Sequence, residues 1–505
     1  MLPDLIANLG LGLATALTLT NIFWCAVGVT IGMLIGVLPG IGPLATISML
    51  FPITLHIEPV SALVMLGGIY YGGSYGGSIT SILLNLPGSA SSAVTTLDGH
   101  PMAKQGRAGV ALLMTTVGSF VGASVGIIIM MVFSPLIVQV ALSFASAEYF
   151  SLMVMGLVGA SVISAGSPVK ALAMVVFGIL IGVVGVDMYT AMPRFTFGFV
   201  ELMDGVSMVA LAMGLFGVPE VISSIRAVDG ATYIKKKISF RSMLPTADDL
   251  RRSWMPMVRG TGIGAFFGTL PGAGGTVAAF ISYAVEKKAA KDPSRFGNGA
   301  IEGVVSPEAA NNAADQTAFI PTLTLGIPGT ASMAIILGVL TIHGIAPGPT
   351  LMSRNPDLFW GLIMSFWVGN ALLLILNLPL IGLWVRVLAV PYQILHPAIL
   401  MFVCIGVLTV NYSTFDIYMV IIVGAFGYGM RLLDFPPAPL LLGFVLGPQM
   451  EEHFRRAMLV SHGDLNVFVT RPLSAAFLAV TAALLAYSLW SVWVGRKPVI
   501  PAEAD

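Results

Sequence analysis

The residues best suited to chemistry lie where the chain is otherwise apolar. The stretch Pro307-Glu308-Ala309-Ala310-Asn311-Asn312-Ala313-Ala314-Asp315-Gln316 sets two carboxylates seven residues apart. That is about two turns of an α-helix, so Glu308 and Asp315 share a face, with Asn311 and Asn312 on or near it. Carboxylates and amides at membrane depth are costly and are functional candidates by default. These four could bind Na+ or carry a proton; the competing expectation is the wet end of a helix. A second block reads Tyr70-Tyr71-Gly72-Gly73-Ser74-Tyr75-Gly76-Gly77-Ser78-Ile79-Thr80-Ser81 and holds three tyrosines, four glycines and four hydroxyl residues. A lipid-facing helix needs none of these. They either let helices pack closely or line a polar path, in which case Ser74, Tyr75 and Ser78 meet the solute. Asn85, just beyond, could coordinate a cation through its amide oxygen.

Four Pro-Gly breaks interrupt the apolar segments, at Pro39-Gly40, Pro87-Gly88, Pro271-Gly272 and Pro328-Gly329. A break exposes backbone N–H and C=O groups that lipid cannot satisfy, so it must face a polar cavity. Half-helix N-termini suit an anion and half-helix C-termini suit a cation. Small or hydroxyl residues follow each break: Gly42 after the first, Ser89 and Ser91 after the second, Gly274 after the third, Thr330 and Ser332 after the fourth. The four tips could converge on one carboxylate-bearing solute; the alternative is that they are kinks that help helices pack.

The elements that position these residues come in two matching sets. Gly32, Gly36, Leu38, Pro39, Gly40 and Gly42 recur 232 residues later as Gly264, Gly268, Leu270, Pro271, Gly272 and Gly274. Pro87-Gly88-Ser89-Ala90-Ser91 recurs 241 residues later as Pro328-Gly329-Thr330-Ala331-Ser332. The longer segment between Glu286 and Glu302 accounts for the extra residues. Internal repeats with helices broken at corresponding positions mark secondary transporters. The expected organisation is a first membrane half over 1–219, a basic linker over 220–259 and a second half over 260–505. The linker carries Arg226, Lys235, Lys236, Lys237, Arg241, Arg251, Arg252 and Arg259, and the positive-inside rule places it in the cytoplasm.

Composition agrees. Hydrophobic residues make up 56% of the 505 and charged ones 10%, against about 25% charged in a soluble chain. No Asp, Glu, Lys or Arg interrupts Leu5 to Leu55, Pro59 to Leu97 or Ala108 to Ala147. A spanning helix needs roughly 20 apolar residues, so an all-α polytopic fold with 10–12 membrane segments is expected, some of them broken. Inverted halves are the preferred arrangement and parallel halves the alternative. The N-terminus has no basic region before its first apolar run, which argues against a cleaved signal peptide. Zero net charge gives no sign of nucleic-acid binding.

Other chemistries find little support. Cys25 and Cys404 lie in apolar runs and read as buried membrane residues. The six histidines are dispersed, with no His-Glu-x-x-His, and Asp187 only approaches an intramembrane protease motif. No Gly-x-x-x-x-Gly-Lys-Ser/Thr nucleotide loop is present in the sequence. No cofactor is expected, and the one metal considered is Na+. Arg194 and Arg431 could balance a carboxylate or anchor the membrane surface. The polar stretch 451–471 is expected to be a solvated loop or a partner contact.

Gly36-Val-Leu-Pro-Gly40, the Tyr-Tyr-Gly-Gly-Ser-Tyr-Gly-Gly-Ser block at 70–78, Pro307-Glu-Ala-Ala-Asn-Asn312, Leu325-Gly-Ile-Pro-Gly329, His343-Gly344 and Gly427-Tyr-Gly429-Met-Arg431 resemble signatures of the TctA family. That is the large membrane subunit of tripartite tricarboxylate transporters, and the resemblance covers essentially the whole chain. It implies a multi-pass protein of the bacterial inner membrane that works with a small TctB-like membrane subunit and a periplasmic TctC-like solute-binding protein. It also implies uptake of citrate, other di- and tricarboxylates or aromatic acids, driven by Na+ or H+. A homodimer is kept as an option. The departure is Thr317 to Thr324, which lacks the Tyr/Gly/Ser character of its first-half counterpart, so the two halves are expected to meet the solute unequally. A carboxylate-permeable channel and an intramembrane enzyme are the alternatives.

Overall fold

The computed structural model describes residues 2–38, 42–164, 167–187, 189–224, 240–387 and 392–493. Helices dominate. The first half comprises α1 (Leu2–Ala16), α2 (Leu19–Gly36), α3 (Pro43–Thr54), α4 (Pro59–Leu84), α5 (Ala93–Met102), α6 (Ala108–Ala141), α7 (Ser146–Ile163), α8 (Pro168–Gly182), α9 (Met208–Ala212) and α10 (Val218–Ser224). The stretch expected as a linker over 220–259 holds the end of α10, all of α11 (Phe240–Met243) and the start of α12 (Ala247–Gly268); after it come α13 (Gly274–Ala289), α14 (Glu302–Thr317), α15 (Phe319–Leu325), α16 (Ala331–Ile342), α17 (Leu351–Arg354) and α18 (Pro356–Asn377). The chain ends with α19 (Ile381–Val387), α20 (Tyr392–Asn411), α21 (Thr414–Leu432), α22 (Pro437–Val460), α23 (Val467–Thr470) and α24 (Pro472–Trp493). The strands among the described residues are β1 (Gly185–Val186) and β2 (Pro193–Arg194), paired antiparallel.

Among the described residues, six helical stretches are long and apolar enough to cross a membrane: Leu19–Gly36, Ala90–Ala141, Ser146–Ile163, Pro356–Asn377, Thr414–Leu432 and Pro472–Trp490. The expected 10–12 segments therefore include elements of another kind. Some are half-length apolar helices, such as α3 and α16 at 12 residues each. Others never meet lipid and need not be apolar: α4 is buried from Ser61 to Leu84 and α14 from Gly303 to Thr317. The wet-helix-end expectation for Glu308 to Asp315 fails on that burial.

Glycine spacing decides the central packing. A Cβ on Gly28, Gly32 or Gly36 would fall 2.2, 2.5 and 2.3 Å from the carbonyl oxygens of Met65, Ile69 and Gly73. A Cβ on Gly260, Gly264 or Gly268 would fall 2.2, 2.0 and 2.4 Å from those of Ser306, Ala310 and Ala314. Only glycine admits so close an approach of two backbones. The second set lies 232 residues after the first on the glycine side and 241 after it on the carbonyl side, the two intervals of the sequence match. Equivalent breaks also end alike. Asn85 and Gly326, 241 apart, are both left-handed C-caps with φ of 60° and 71°. Ser89 and Thr330 are both extended N-caps.

The two equivalent helices, α4 and α14, cross antiparallel. Ser74 meets Asp315, its counterpart 241 residues on. Tyr70, one turn earlier, stacks edge-on with Phe319, which follows α14, at 6.3 Å. Ser78, one turn later, lies beside Glu308 in the first half of α14. Rising position in one helix matches falling position in the other, the order given by a two-fold axis perpendicular to both and passing near Ser74 and Asp315.

Several charged residues are placed otherwise than expected. Asp187 sits in the β1–β2 hairpin and not in an apolar helix; the backbone N–H of Tyr189, with Thr190 and Arg455, holds its carboxyl below the usual carboxylate range. Arg194 pairs with Glu451 at 2.8 Å and Arg431 with Glu220 at 3.1 Å, so neither is a spare cation for a solute. The stretch 451–471 is loop only in part: α22 runs to Val460, and Arg455 and Arg471 reach Asp187 and Glu148. Cys25 is buried beside Tyr71, whereas Cys404 is exposed. Of the basic linker, 225–239 lie outside the described residues; Arg107 and Asp249 tie its far end to the base of α6 at 2.6 Å.

Candidate functional site

The described Pro-Gly breaks, at 87–88, 271–272 and 328–329, each lead from the C-terminus of one helix into the N-terminus of the next. Pro39 and Gly40 lie outside the described residues; Gly42 caps α3. Pro87, Gly88, Ser89 and Ser91 lead through a 3-10 turn at Ala90–Ser92 into α5. Pro271, Gly272 and Gly274 lead into α13, and Gly329, Thr330 and Ser332 into α16. The N-termini of α3 and α13 have no side-chain cap, which leaves their first N–H groups to other acceptors. Gly272 and Gly274 have φ of +80° and +56°, left-handed values that favour glycine.

The two second-half breaks meet: the Gly272 N–H donates to the Gly329 carbonyl at 2.8 Å. In the first half, Gly88 presses on the Gly36 carbonyl and on Gly77. These contacts surround the helix crossing. Pro43 packs on Gly73, and Ser89 and Ser92 pack on Gly77, all in or against α4. Gly275 lies against Asp315 and the Asn311 carbonyl, and Gly274 against Thr330. The 3-10 turn packs on α13, and α3 packs on α16, so each half's tips also touch the other half.

At the crossing are two buried carboxylates. The Ser74 hydroxyl donates to Asp315 Oδ2 at 2.6 Å, with the Tyr70 hydroxyl beside Asp315 and Thr330. Glu308 is fully buried and accepts from Thr95 and, at 3.3 Å, from Ser119. Asn312 Nδ2 donates to Ser119 at 2.8 Å, to the Glu308 carbonyl at 3.0 Å and to Asn311 Oδ1 at 2.6 Å. Tyr75 turns away to Asn370 Oδ1 at 2.8 Å on α18, which in turn donates to Ser124 on α6. Among the described residues no Lys, Arg or His pairs with Glu308 or Asp315. Buried acids normally need a partner charge; here each has only hydroxyl donors.

Of the sequence candidates, Ser74, Ser78, Glu308, Asn311, Asn312 and Asp315 are thus brought together, with Gly274 and Thr330 at their edge. Asn85 is not among them. It is exposed and serves as a left-handed helix cap, a conformation asparagine tolerates. Pro87 is exposed and Pro271 half-buried at their tips. Thr95, Ser119 and Gln316 were not singled out by sequence reasoning. A lone hydroxyl in an apolar helix carries no signal until its partner across the fold is known. Asp98 was missed too: buried, it accepts N–H groups of Gly297, Gly299 and Ala300 at 2.9, 2.8 and 2.8 Å and the Tyr283 hydroxyl at 3.0 Å. It thereby fastens α5 to the longer second-half loop.

The Tripartite tricarboxylate transporter TctA family model matches residues 22–442. An uncharacterized 52.8 kDa protein in the TAR-I ttuC' 3'region of Agrobacterium vitis is 51% identical over 502 residues, 99% of this chain and 100% of that protein. An uncharacterized protein in the TAR-II ttuC' 3'region of the same organism is 55% identical over 242 residues, 48% of this chain and 100% of that protein. No solved structure matches the chain.

Proposed function

The chain belongs to the tripartite tricarboxylate transporter TctA family, and from that premise we propose that it is the permease subunit of a cation-coupled carboxylate uptake system. As a member of that family of transport subunits it associates with TctB-like and TctC-like partners, and its apolar helices make it a multi-pass membrane protein. The rest is our reading: the membrane is the bacterial inner membrane, the cargo is a di- or tricarboxylate delivered by the periplasmic binding protein, and the mechanism is alternating access.

The observation that carries this reading is the meeting of four helix N-termini around two buried acids that lack a cationic partner. Helix N-termini favour the carboxylates of the solute. Asp315 opposes them. At an effective dielectric constant near 20, a solute oxygen about 4 Å from an ionised Asp315 is repelled by roughly 4 kcal/mol, about a thousandfold in affinity. A cation or proton at Asp315 removes that repulsion. Solute and cation then bind better together than apart, which is the condition for symport. Asn311 Nδ2, buried and unpartnered on the side of α14 facing Gly275, is a donor suited to the solute.

The antiparallel crossing at Ser74 and Asp315 supports a reading of inverted halves with the site at their shared axis. Exchange of access then needs one half's tips to rock against the other's, with the cytoplasmic linker joining them. A channel is disfavoured by the coupling argument, since an open pore has no use for a repulsive acid that must be neutralised.

The test is uptake of radiolabelled citrate, then a panel of carboxylates, into proteoliposomes holding this chain with its small subunit and binding protein. Accumulation above the outside concentration under an inward Na+ or H+ gradient is expected. Passive equilibration that ignores the gradient would replace this reading with a channel.

A further inference from the structure

The two faces of the protein are fastened differently. From the tips, α5 and α13 run to one face, where their ends meet, and α3 and α16 run to the other. The first face is basic. Lys104 and Arg107 follow α5, Lys287 and Lys288 lie in the last turn of α13, and Arg107, Arg259 and Arg295 pair there with Asp249, Glu286 and Glu302. By the positive-inside rule it is the cytoplasmic face. Here Asp98 of α5, 0% exposed, grips the second half. Its Oδ1 accepts the N–H groups of Gly297, Gly299 and Ala300, and its Oδ2 accepts the Tyr283 hydroxyl of α13. Gln105 Nε2 adds a bond to the Asn298 carbonyl at 2.9 Å. On the opposite face the ends of α16 and α3 are joined by His343 Nε2, which donates to the Thr54 carbonyl at 2.9 Å.

The repeat itself carries this asymmetry. Asp98 corresponds, 241 residues on, to Val339, whose side chain accepts no hydrogen bond. The loop that Asp98 grips belongs to the segment that lengthens the second half, since the interval between matching residues grows from 232 to 241 between Pro271 and Pro328. We infer that Asp98 is the latch of a cytoplasmic gate: the loop over 297–300 is held on α5 while the site is shut from the cytoplasm, and lifts off α5 to open it. The bonds suit release. Their donors are neutral, so water replaces each of them when the loop lifts and no cation is left unpaired; exchanging such bonds for bonds to water costs little net free energy. Gly297 and Gly299, at φ of +86° and +96°, sit where the backbone must turn, and glycine absorbs such a change most easily. A gate latched on the inner side alone suits a protein that waits for solute from outside, so the inference rests on the transport function proposed above.

The experiment locks the loop down. Gln105→Cys and Asn298→Cys are combined in a full-length chain carrying Cys25→Ala and Cys404→Ala, joined by a short reducible cross-linker, and reconstituted with both partner subunits. Uptake is followed with radiolabelled citrate or the carboxylate of the panel that the wild type takes up. The cross-link is expected to abolish accumulation under the gradient and reduction to restore it, while each single cysteine accumulates normally. Undiminished accumulation by the fully cross-linked protein would make Asp98 a static clip, overturning the gate and leaving transport standing. A wild type that accumulates no carboxylate in the same assay overturns the transport reading and the gate with it. Should the cysteine pair fail to fold or to join, hydrogen exchange of the purified wild-type chain decides. The amides of Gly297, Gly299 and Ala300 should exchange together, about ten times or more as fast as the buried amides of α14 beside them. Exchange as slow as in α14 overturns the gate.

Discussion

Gly88 and Gly329 occupy equivalent places in the two halves, yet an added methyl group should affect them very differently. A Cβ on Gly88 would lie 2.2 Å from the Gly36 carbonyl oxygen and 2.6 Å from the Gly77 Cα. Both obstacles are backbone of helices that glycines hold tightly together, so relief requires the Gly88 segment to move about 1 Å off α2 and α4. A Cβ on Gly329 would sit 3.4 Å from the Gly268 carbonyl oxygen and 3.5 Å from the Ala318 Cβ, ordinary contact distances. Neither glycine has a positive φ, so backbone strain does not enter. Overpacking costs about 1–3 kcal/mol, and two backbone obstacles put Gly88→Ala at or above the upper end. Gly329→Ala should fall within about 1 kcal/mol of wild type, helped by the smaller entropy of its unfolded chain. Melting curves of the two purified variants in one detergent measure the difference, and size-exclusion profiles report folding. Equal destabilisation, or a Gly329→Ala protein less stable than Gly88→Ala, would refute the packing described for the two tips.

Other expectations follow from single contacts. Ser74→Ala removes the hydroxyl donor 2.6 Å from Asp315; the loss of a bond to a buried acid, about 1.5–3 kcal/mol, should lower the stability of the folded chain by that order, read by thermal melting. Arg471→Met leaves the buried Glu148 without its partner and should lower stability by about 1.5–3 kcal/mol, whereas the exposed Arg456–Glu452 pair should be nearly silent, within about 1 kcal/mol; thermal melting separates the two. Asp187 has a carboxyl held below its ordinary value in the folded state. Its contribution to stability is therefore complete above the unfolded carboxylate range and is lost as pH falls through the folded value. Melting temperatures of wild type and Asp187→Asn should differ at neutral pH and converge in strong acid.

Much of this was legible in the sequence because close helix contact leaves a coarse mark. Where two backbones approach to carbonyl distance only glycine fits, so Gly28, Gly32 and Gly36 and their later counterparts record the packing of α2 on α4 and of α12 on α14. Pro-Gly breaks mark helix ends for similar reasons. The acids Glu308 and Asp315 stand out because little else in the apolar stretches carries charge. What stayed hidden is pairing between distant segments. Thr95 and Ser119 look like ordinary hydroxyl residues of apolar helices, and nothing local says that both reach Glu308. Asp98 lies at the edge of a charge-free run and reads as a helix end until the loop over 297–300 folds onto it. Asn85 misled in the other direction: an amide before a break suits a cation, but asparagine also tolerates the left-handed cap that the break requires. Long apolar stretches hid the difference between spans that face lipid and spans, such as α4, that are wholly enclosed.

We propose that a buried acid at the crossing of the two halves couples carboxylate to cation, and Asp315→Asn puts this to the test. Proteoliposomes holding this variant with both partner subunits would be assayed twice, for exchange of internal and external labelled carboxylate at equilibrium and for accumulation under an inward cation gradient. Exchange is expected to survive, because the neutral amide removes the repulsion for good, while gradient-driven accumulation is expected to be lost. Accumulation at the wild-type level in Asp315→Asn would contradict it.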